Sequence, residues 1–296
     1  MSDSTQSSLF VAHLGRAEGD PDGFAVLSRE FASRNEGYVV SQSASARGLG
    51  AHSAARALFM TRGKAQAEIR SSARGLQASA VSAGDLLWLR SGEELALDAA
   101  CDLICFEIPC ELPTELPSFI RPDHDPLITD TPGGCAEEER AYRRILVTWL
   151  AESGPYNFEG LNAHRVRMWN SFSHYHPPEG GFDELYIVEE VEEGAKIYTS
   201  GQRLSIEVPG DVTHEVAAQL IQALTPERGD LIYIPRGVIH RAVGGVLAQV
   251  ITVPGFKPGF EIGVDHHLRA INEHLALTGA SALPFQESAA NGPLIK

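Results

Sequence analysis

Gly229-Asp-Leu-Ile-Tyr-Ile-Pro-Arg-Gly-Val-Ile-His240 is a short apolar run bounded by turn residues and closed by a histidine. Gly229-Asp230 reads as a turn and Leu231 to Ile234 as a buried strand. Pro235 and Gly237 then form a strand-end turn that aims His240 inward. One histidine does not hold a metal, so partners are sought upstream. His174-Tyr175-His176 offers two. Residues two apart on a strand share a face, which lets His174 and His176 clamp one ion from adjacent inward positions. Glu184 opens the next β-rich run, Glu184-Leu-Tyr-Ile-Val188, and adds an anionic oxygen to the three imidazoles.

These spacings resemble the cupin superfamily. Its second motif, G(X)5PXG(X)2H, is met at every defining position by Gly229, Pro235, Gly237 and His240. Its first motif, G(X)5HXH(X)3-4E(X)6G, is met in part. His174 and His176 fit, Met168 stands at the leading glycine, seven residues separate His176 from Glu184, and Gly194 is the late closing glycine. The departure implies a longer loop from Pro177 to Asp183. Glu179, in the Pro-Pro-Glu-Gly-Gly turn of that loop, rivals Glu184 as the carboxylate ligand; Glu184 leads because it opens the Glu-Leu-Tyr strand usual at that place in cupins.

Gly84-Asp-Leu-Leu-Trp-Leu-Arg-Ser-Gly-Glu-Glu-Leu95 repeats the layout of residues 229 to 240, with Arg90 at the proline and Leu95 at the histidine. The resemblance therefore implies an all-β bicupin of two double-stranded β-helix (jelly-roll) barrels with a few flanking helices. The expected organisation is a degenerate first barrel over 1–112, a proline-rich linker and helix over 113–153, a metal-binding barrel over 154–262, and a helix and tail over 263–296. The linker helix is placed at about Ala136 to Glu152 and the last helix at about Gly263 to Leu277, from the spacing of their apolar residues.

At roughly 150 residues per domain, a chain of 296 residues accommodates two such units. A formal net charge of −15 argues against nucleic acid as a partner, since phosphate binding needs clustered Lys and Arg. The first eight residues lack the basic and apolar regions of a signal peptide, and no apolar run approaches the roughly 20 residues of a membrane span, so a cytoplasmic location without membrane association is expected. Cys101, Cys105 and Cys110 form no CxxC pair and read as reduced residues of a strand. A homodimer is a further expectation.

Three imidazoles and one carboxylate suit one divalent ion, Fe preferred, with Mn, Ni, Co or Zn as alternatives, and leave two positions open in six-coordination. Inward parity on the strand of His174 adds Asn170 and Phe172 as substrate contacts, with Tyr233 from the next motif. Glu179 and Tyr186 are the candidates for proton transfer, and His214 a weaker one. Arg241 alternates away from His240 and is expected in solvent. No inward Lys or Arg is evident. That pattern favours an O2-dependent, dioxygenase-like oxidoreductase acting on a small oxygenated metabolite. A metal-dependent sugar or sugar-acid isomerase or epimerase is the alternative, followed by a non-catalytic binding protein.

Overall fold

The computed structural model describes residues 9–131 and 142–296. The chain opens with β1 (Phe10–His13) and helix α1 (Pro21–Arg34). Seven strands follow: β2 (Val39–Leu49), β3 (Ala55–Arg62), β4 (Lys64–Ser71), β5 (Gly75–Ser82), β6 (Leu86–Leu89), β7 (Glu94–Ile108) and β8 (Phe119–Ile120). They form one antiparallel sheet. The second sheet holds β9 (Arg143–Val147), β10 (Asn162–Asn170), β11 (His174–Tyr175), β12 (Asp183–Val191), β13 (Lys196–Ser200), β14 (Gln222–Leu224), β15 (Asp230–Ile234), β16 (Ile239–Val253) and β17 (Ile262–Gly263). Short helices α2 (Arg203–Ile206) and α3 (His214–Leu220) interrupt it, and α4 (Asp265–His274) packs outside.

The period-2 alternation of strands explains how the two sheets share a core. In β15, Leu231 and Tyr233 point to one side and join Leu185, Ile187, Ile251 and Val253 against Phe59, Trp88 and Phe106 of the first sheet. Ile232 and Ile234 point the other way, into the second barrel, with Tyr186, Val188 and Val250. From Leu231 to Ile234 the strand carries no charged residue because both of its faces are buried. Helix α1, capped by the Asp20 carboxylate on the Gly23 N–H at 3.0 Å, lays Leu27 and Phe31 into the shared core.

Asp183 ties this seam together. Fully buried, it accepts hydrogen bonds from Tyr233 Oη at 2.6 Å, Asn35 Nδ2 at 2.7 Å, and the Arg236 backbone N and Nε at 2.8 and 2.7 Å. One carboxylate thus joins the end of α1, the start of β12 and the turn that precedes His240.

Three expectations change. Residues expected to form a helix from Ala136 to Glu152 include β9, which pairs with β10 in the register Val147 to Ala163 and Ile145 to His164; Ala136 to Ala141 lie outside the described residues. The β-branched Ile145 and Val147 fit a strand edge better than the helical spacing suggested. Residues Phe10–His13, assigned with the first barrel, instead pair with β15 of the second sheet. The last helix is shorter than expected, ending at His274.

The internal repeat is a backbone repeat as well. Gly84 and Gly229 enter β6 and β15 with φ of 94° and 88°, and Gly92 and Gly237 turn the chain at 78° and 90°. Their positive φ is what the layout requires of these positions. Leu95, at the position of His240, is 4% exposed and sits in an apolar interior with Leu58, Ile69 and Leu97.

Candidate metal centre

The four expected ligands come from three strands. His174 lies on β11, His176 just beyond it, Glu184 on β12 and His240 on β16; His174 and His240 are direct partners across the ladder, and Glu184 lies opposite Thr252. Their ligand atoms all lie within 4.8 Å of one another, and every one of the four residues is buried. The longer loop does not displace Glu184, because Pro178, Glu179 and Gly180 fold out as an exposed turn and Gly181 and Phe182 return to the interior before β12 begins.

Hydrogen bonding orients the rings. His174 Nδ1 faces Phe172 O at 3.1 Å and His240 Nδ1 faces Val238 O at 3.2 Å, while His176 bonds the Phe182 backbone. With those nitrogens committed, the Nε2 atoms of His174, His176 and His240 are buried without an acceptable hydrogen-bond partner. His240 Nε2 lies only 2.8 Å from Glu184 Oε2, and the same carboxylate oxygen accepts from Tyr186 Oη at 3.2 Å. Converging imidazole lone pairs beside a carboxylate are a donor set that fits one divalent ion.

Electrostatics agree with neutral ligands on two of the three rings. Burial, followed by the neighbouring His240, pushes the pKa of His174 down to about 3, and burial holds His176 well below its ordinary value. Burial also works to lower His240, but its contact with Glu184 outweighs that and raises it. A proton and a divalent ion compete for the same His240 lone pair.

Beside the ligands lies a cavity of about 140 Å³. Phe172, Tyr186, Thr252 and Phe256 line it, with Arg143 and His164 from the opposite strands. The Phe172 ring stacks on His174 with centroids 4.4 Å apart. Thr252 is 3% exposed and its hydroxyl has no hydrogen-bond partner among the described residues. Arg143 makes no ion pair among the described residues.

Several candidates lie elsewhere. Glu179 is exposed in the turn, outside the four-residue cluster and outside the lining of the cavity beside it. Tyr233 belongs to the core shared by the two sheets, its ring 5.7 Å from Phe31 and its hydroxyl on Asp183. The parity of β15 carries it away from the barrel interior. Asn170 follows a register shift between Met168 and Asn170 that turns it out of phase, and its Oδ1 accepts from Arg241 at 2.6 Å. Arg241 is buried, not solvated, with Nε on Ser171 O at 2.8 Å. His214 sits on α3 with Nε2 near Leu275 O.

Three titratable cavity residues were not anticipated. His164 shares the inward parity already assigned to β10, so a signal existed. Arg143 was hidden by the expected helix. Glu261 follows the second barrel and approaches from outside, its Oε1 3.7 Å from His174 Nε2. Burial, then the Glu184 charge, raises its carboxyl pKa to about 7.

Among the described residues one other group of potential ligands converges: His13, Glu227 and Asp230. It is internally satisfied. His13 Nδ1 meets Asp230 Oδ1 at 2.8 Å, and Glu227 pairs with Arg16.

Comparison with solved structures places the architecture. An oxalate decarboxylase from Lactobacillus farciminis, solved as a formate complex, matches at TM-score 0.50 and 15% identity, over 84% of this chain and 87% of that one. The chain has the cupin fold. It comprises two cupin jelly-roll barrels with a few flanking helices. More distant matches include the Bacillus subtilis oxalate decarboxylase with Mn(II) centres, at 13% identity over 81% and 75% of the two chains and TM-score 0.48. Hazelnut vicilin matches at 10% identity, 74% coverage of each and TM-score 0.46. No family model matches the chain, and no curated protein matches it in sequence.

The cupin site separates the two carboxylates experimentally. Glu184→Gln is expected to lower metal affinity sharply, because a neutral amide replaces the only carboxylate in the cluster, whereas Glu179→Gln leaves metal content unchanged. Metal analysis of both purified variants checks this; loss of metal from Glu179→Gln alone would transfer the ligand role.

Proposed function

We propose that this protein is a metal-dependent cupin enzyme whose second barrel acts on a small carboxylate-bearing metabolite. The reading rests on three converging Nε2 atoms, those of His174 and His176 without a hydrogen-bond partner among the described residues and that of His240 against Glu184, beside a small cavity lined by Arg143. His174, His176, Glu184 and His240 would hold the ion. When bound, a divalent metal supplies positive charge that polarises a substrate oxygen and lets it react.

The chain's own residues do the rest. Arg143 offers the forked donors that pair with a carboxylate, and Thr252 contributes a free hydroxyl. Tyr186 holds Glu184 in place through its hydrogen bond. Phe172 and Phe256 make the wall apolar and exclude water. A volume of about 140 Å³ lies well below the roughly 300–1,000 Å³ of drug-sized pockets, which restricts the substrate to a few non-hydrogen atoms.

In the sequence, the lack of an inward cation favours oxidative chemistry on a small oxygenated metabolite. Arg143 removes that ground, and Lys296, whose Nζ lies 5.0 Å from the Phe172 ring centre, adds a second cation nearby. The favoured reaction is therefore redox-neutral bond cleavage in a small carboxylic acid, as the name of the oxalate decarboxylase from L. farciminis describes for that protein. O2-dependent oxidation is the second reading, because a four-ligand site leaves two positions open for a substrate atom and dioxygen. The first barrel, apolar where the second carries His240, is proposed to bind no metal.

Strictly anaerobic incubation of Mn(II)- or Fe(II)-loaded protein with small mono- and dicarboxylates distinguishes the two. Turnover without dioxygen supports the redox-neutral reading; turnover only with dioxygen consumption supports the oxidative one; a carboxylate that binds and is never consumed leaves a binding protein. Arg143→Ala should weaken carboxylate binding by about 10–30-fold, the loss of a charge-assisted hydrogen bond, with metal content unchanged. Equal affinity in calorimetric titrations of the variant and its parent would remove Arg143 from the substrate site.

A further inference from the structure

Glu261 reaches the metal cavity by an unusual route. Glu261 directly precedes a short outer strand of the second sheet: β17 has two residues, pairing on one side with β11, His174 to Gly263 and Tyr175 to Ile262. On the other side stands Leu294–Lys296. Gly259 N and Glu261 N donate to Lys296 O at 2.9 and 3.0 Å, Lys296 N donates to Glu261 O at 3.1 Å, and Gly263 N donates to Leu294 O at 2.8 Å. Glu261 is thus held by backbone bonds between the strand that carries a metal ligand and a segment far along the chain.

The packing at Gly263 is close. A Cβ there would meet Leu294 O at 3.0 Å, Leu294 Cβ at 3.1 Å and Phe172 Cδ2 at 3.4 Å. Phe172 in turn stacks on His174, and the Lys296 ammonium lies over the Phe172 ring. Glu261 lines the cavity and lies outside the four-residue cluster while remaining 3.7 Å from His174 Nε2. It therefore stands on the cavity side of the ligands, where an exogenous ligand must enter.

Resting on the metal reading above, we propose that Glu261 is a catalytic residue that hydrogen-bonds the ligand occupying the open side of the metal, and that Leu294–Lys296 is the clamp positioning it. The clamp holds the Glu261 segment by backbone groups and contributes no ligand atom to the four-residue cluster, while its Lys296 ammonium lies over the Phe172 ring that stacks on His174.

Acetohydroxamate is a suitable probe, because it fills two coordination positions with oxygen and presents an N–H to a neighbouring acceptor. The experiment titrates it into the full chain loaded with Co(II), following the visible spectrum of the ion. Glu261→Ala, Gly263→Ala and deletion of residues 292–296 should each retain one Co(II) per chain. Each should also weaken acetohydroxamate by about 3–10-fold, the loss of one hydrogen bond. Glu261→Gln, which keeps an acceptor oxygen, should recover part of that loss. Gly263→Ala should add no further weakening in the Glu261→Ala background.

Unchanged affinity in Glu261→Ala would overturn the contact. An equal effect of Gly263→Ala with and without Glu261 would overturn the clamp, since the segment would then act by another path. Failure of the parent protein to bind Co(II) is a different result, and would overturn the metal reading together with this one.

Discussion

His240→Ala is expected to abolish tight metal binding while leaving the chain folded. The ring supplies one of three converging Nε2 atoms and stands directly across the ladder from His174, so its loss opens the site on the side of Glu184. Removing a ligand should exceed the roughly 10–100-fold loss of affinity typical when an outer-shell partner of a metal ligand is removed. The fold survives because the barrel core is built from Val166, Val188, Ile197, Ile232 and their neighbours, not from the imidazole. Metal analysis with far-ultraviolet circular dichroism checks both halves. Undiminished metal in a folded variant, or two ions per chain in the parent, would sink the assignment.

Asp183→Ala destabilises the whole molecule by about 3–5 kcal/mol, the usual result of removing one partner from a buried charged network. Four donors lose their acceptor at once: Tyr233 Oη, Asn35 Nδ2, and the backbone N and Nε of Arg236. They belong to α1, β15 and the turn before β16, so the damage falls on the seam between the barrels. Equilibrium urea unfolding measures it. A change below about 1 kcal/mol, the usual range for surface substitutions and weak contacts, would show that the network is dispensable. The aspartate also lies next to Glu184, so a loosened β12 should lower metal affinity as a secondary effect.

How much of this was written in the chain depends on the range of the interaction. Gly229, Pro235, Gly237 and His240 are legible because each is a local backbone requirement: a positive φ, a break in the ladder, a second positive φ, then the first residues of a strand. His174 and His176 are legible for the same reason, as the spacing of a ligand pair is a local property. The repeat at Gly84 to Leu95 likewise announces the same turn geometry twice.

Position relative to distant elements was not legible. Arg143 sits where helical periodicity and β-propensity compete, and pairing with β10 decided for the strand; only then did its side chain face the cavity. Tyr233 shows the same limit in reverse. The motif places Tyr233 and His240 on consecutive strands of the chain, but which face of β15 is the barrel interior follows from the first barrel packing on the other side.

The sequence by itself carried the resemblance to cupins, the repeated turns and the three histidines, with Glu184 ahead of Glu179 as the carboxylate; the turns and histidines are legible because they follow from spacing, glycine and proline conformation and strand parity. Tertiary structure alone decided that β1 joins the second sheet, that Arg143 opens onto the cavity, and that Glu261 reaches His174 from a strand held by Leu294–Lys296. Each of those is a contact between segments far apart in the chain. Its free energy comes from burial and hydrogen bonds formed only when both segments are in place, and neither segment records the other.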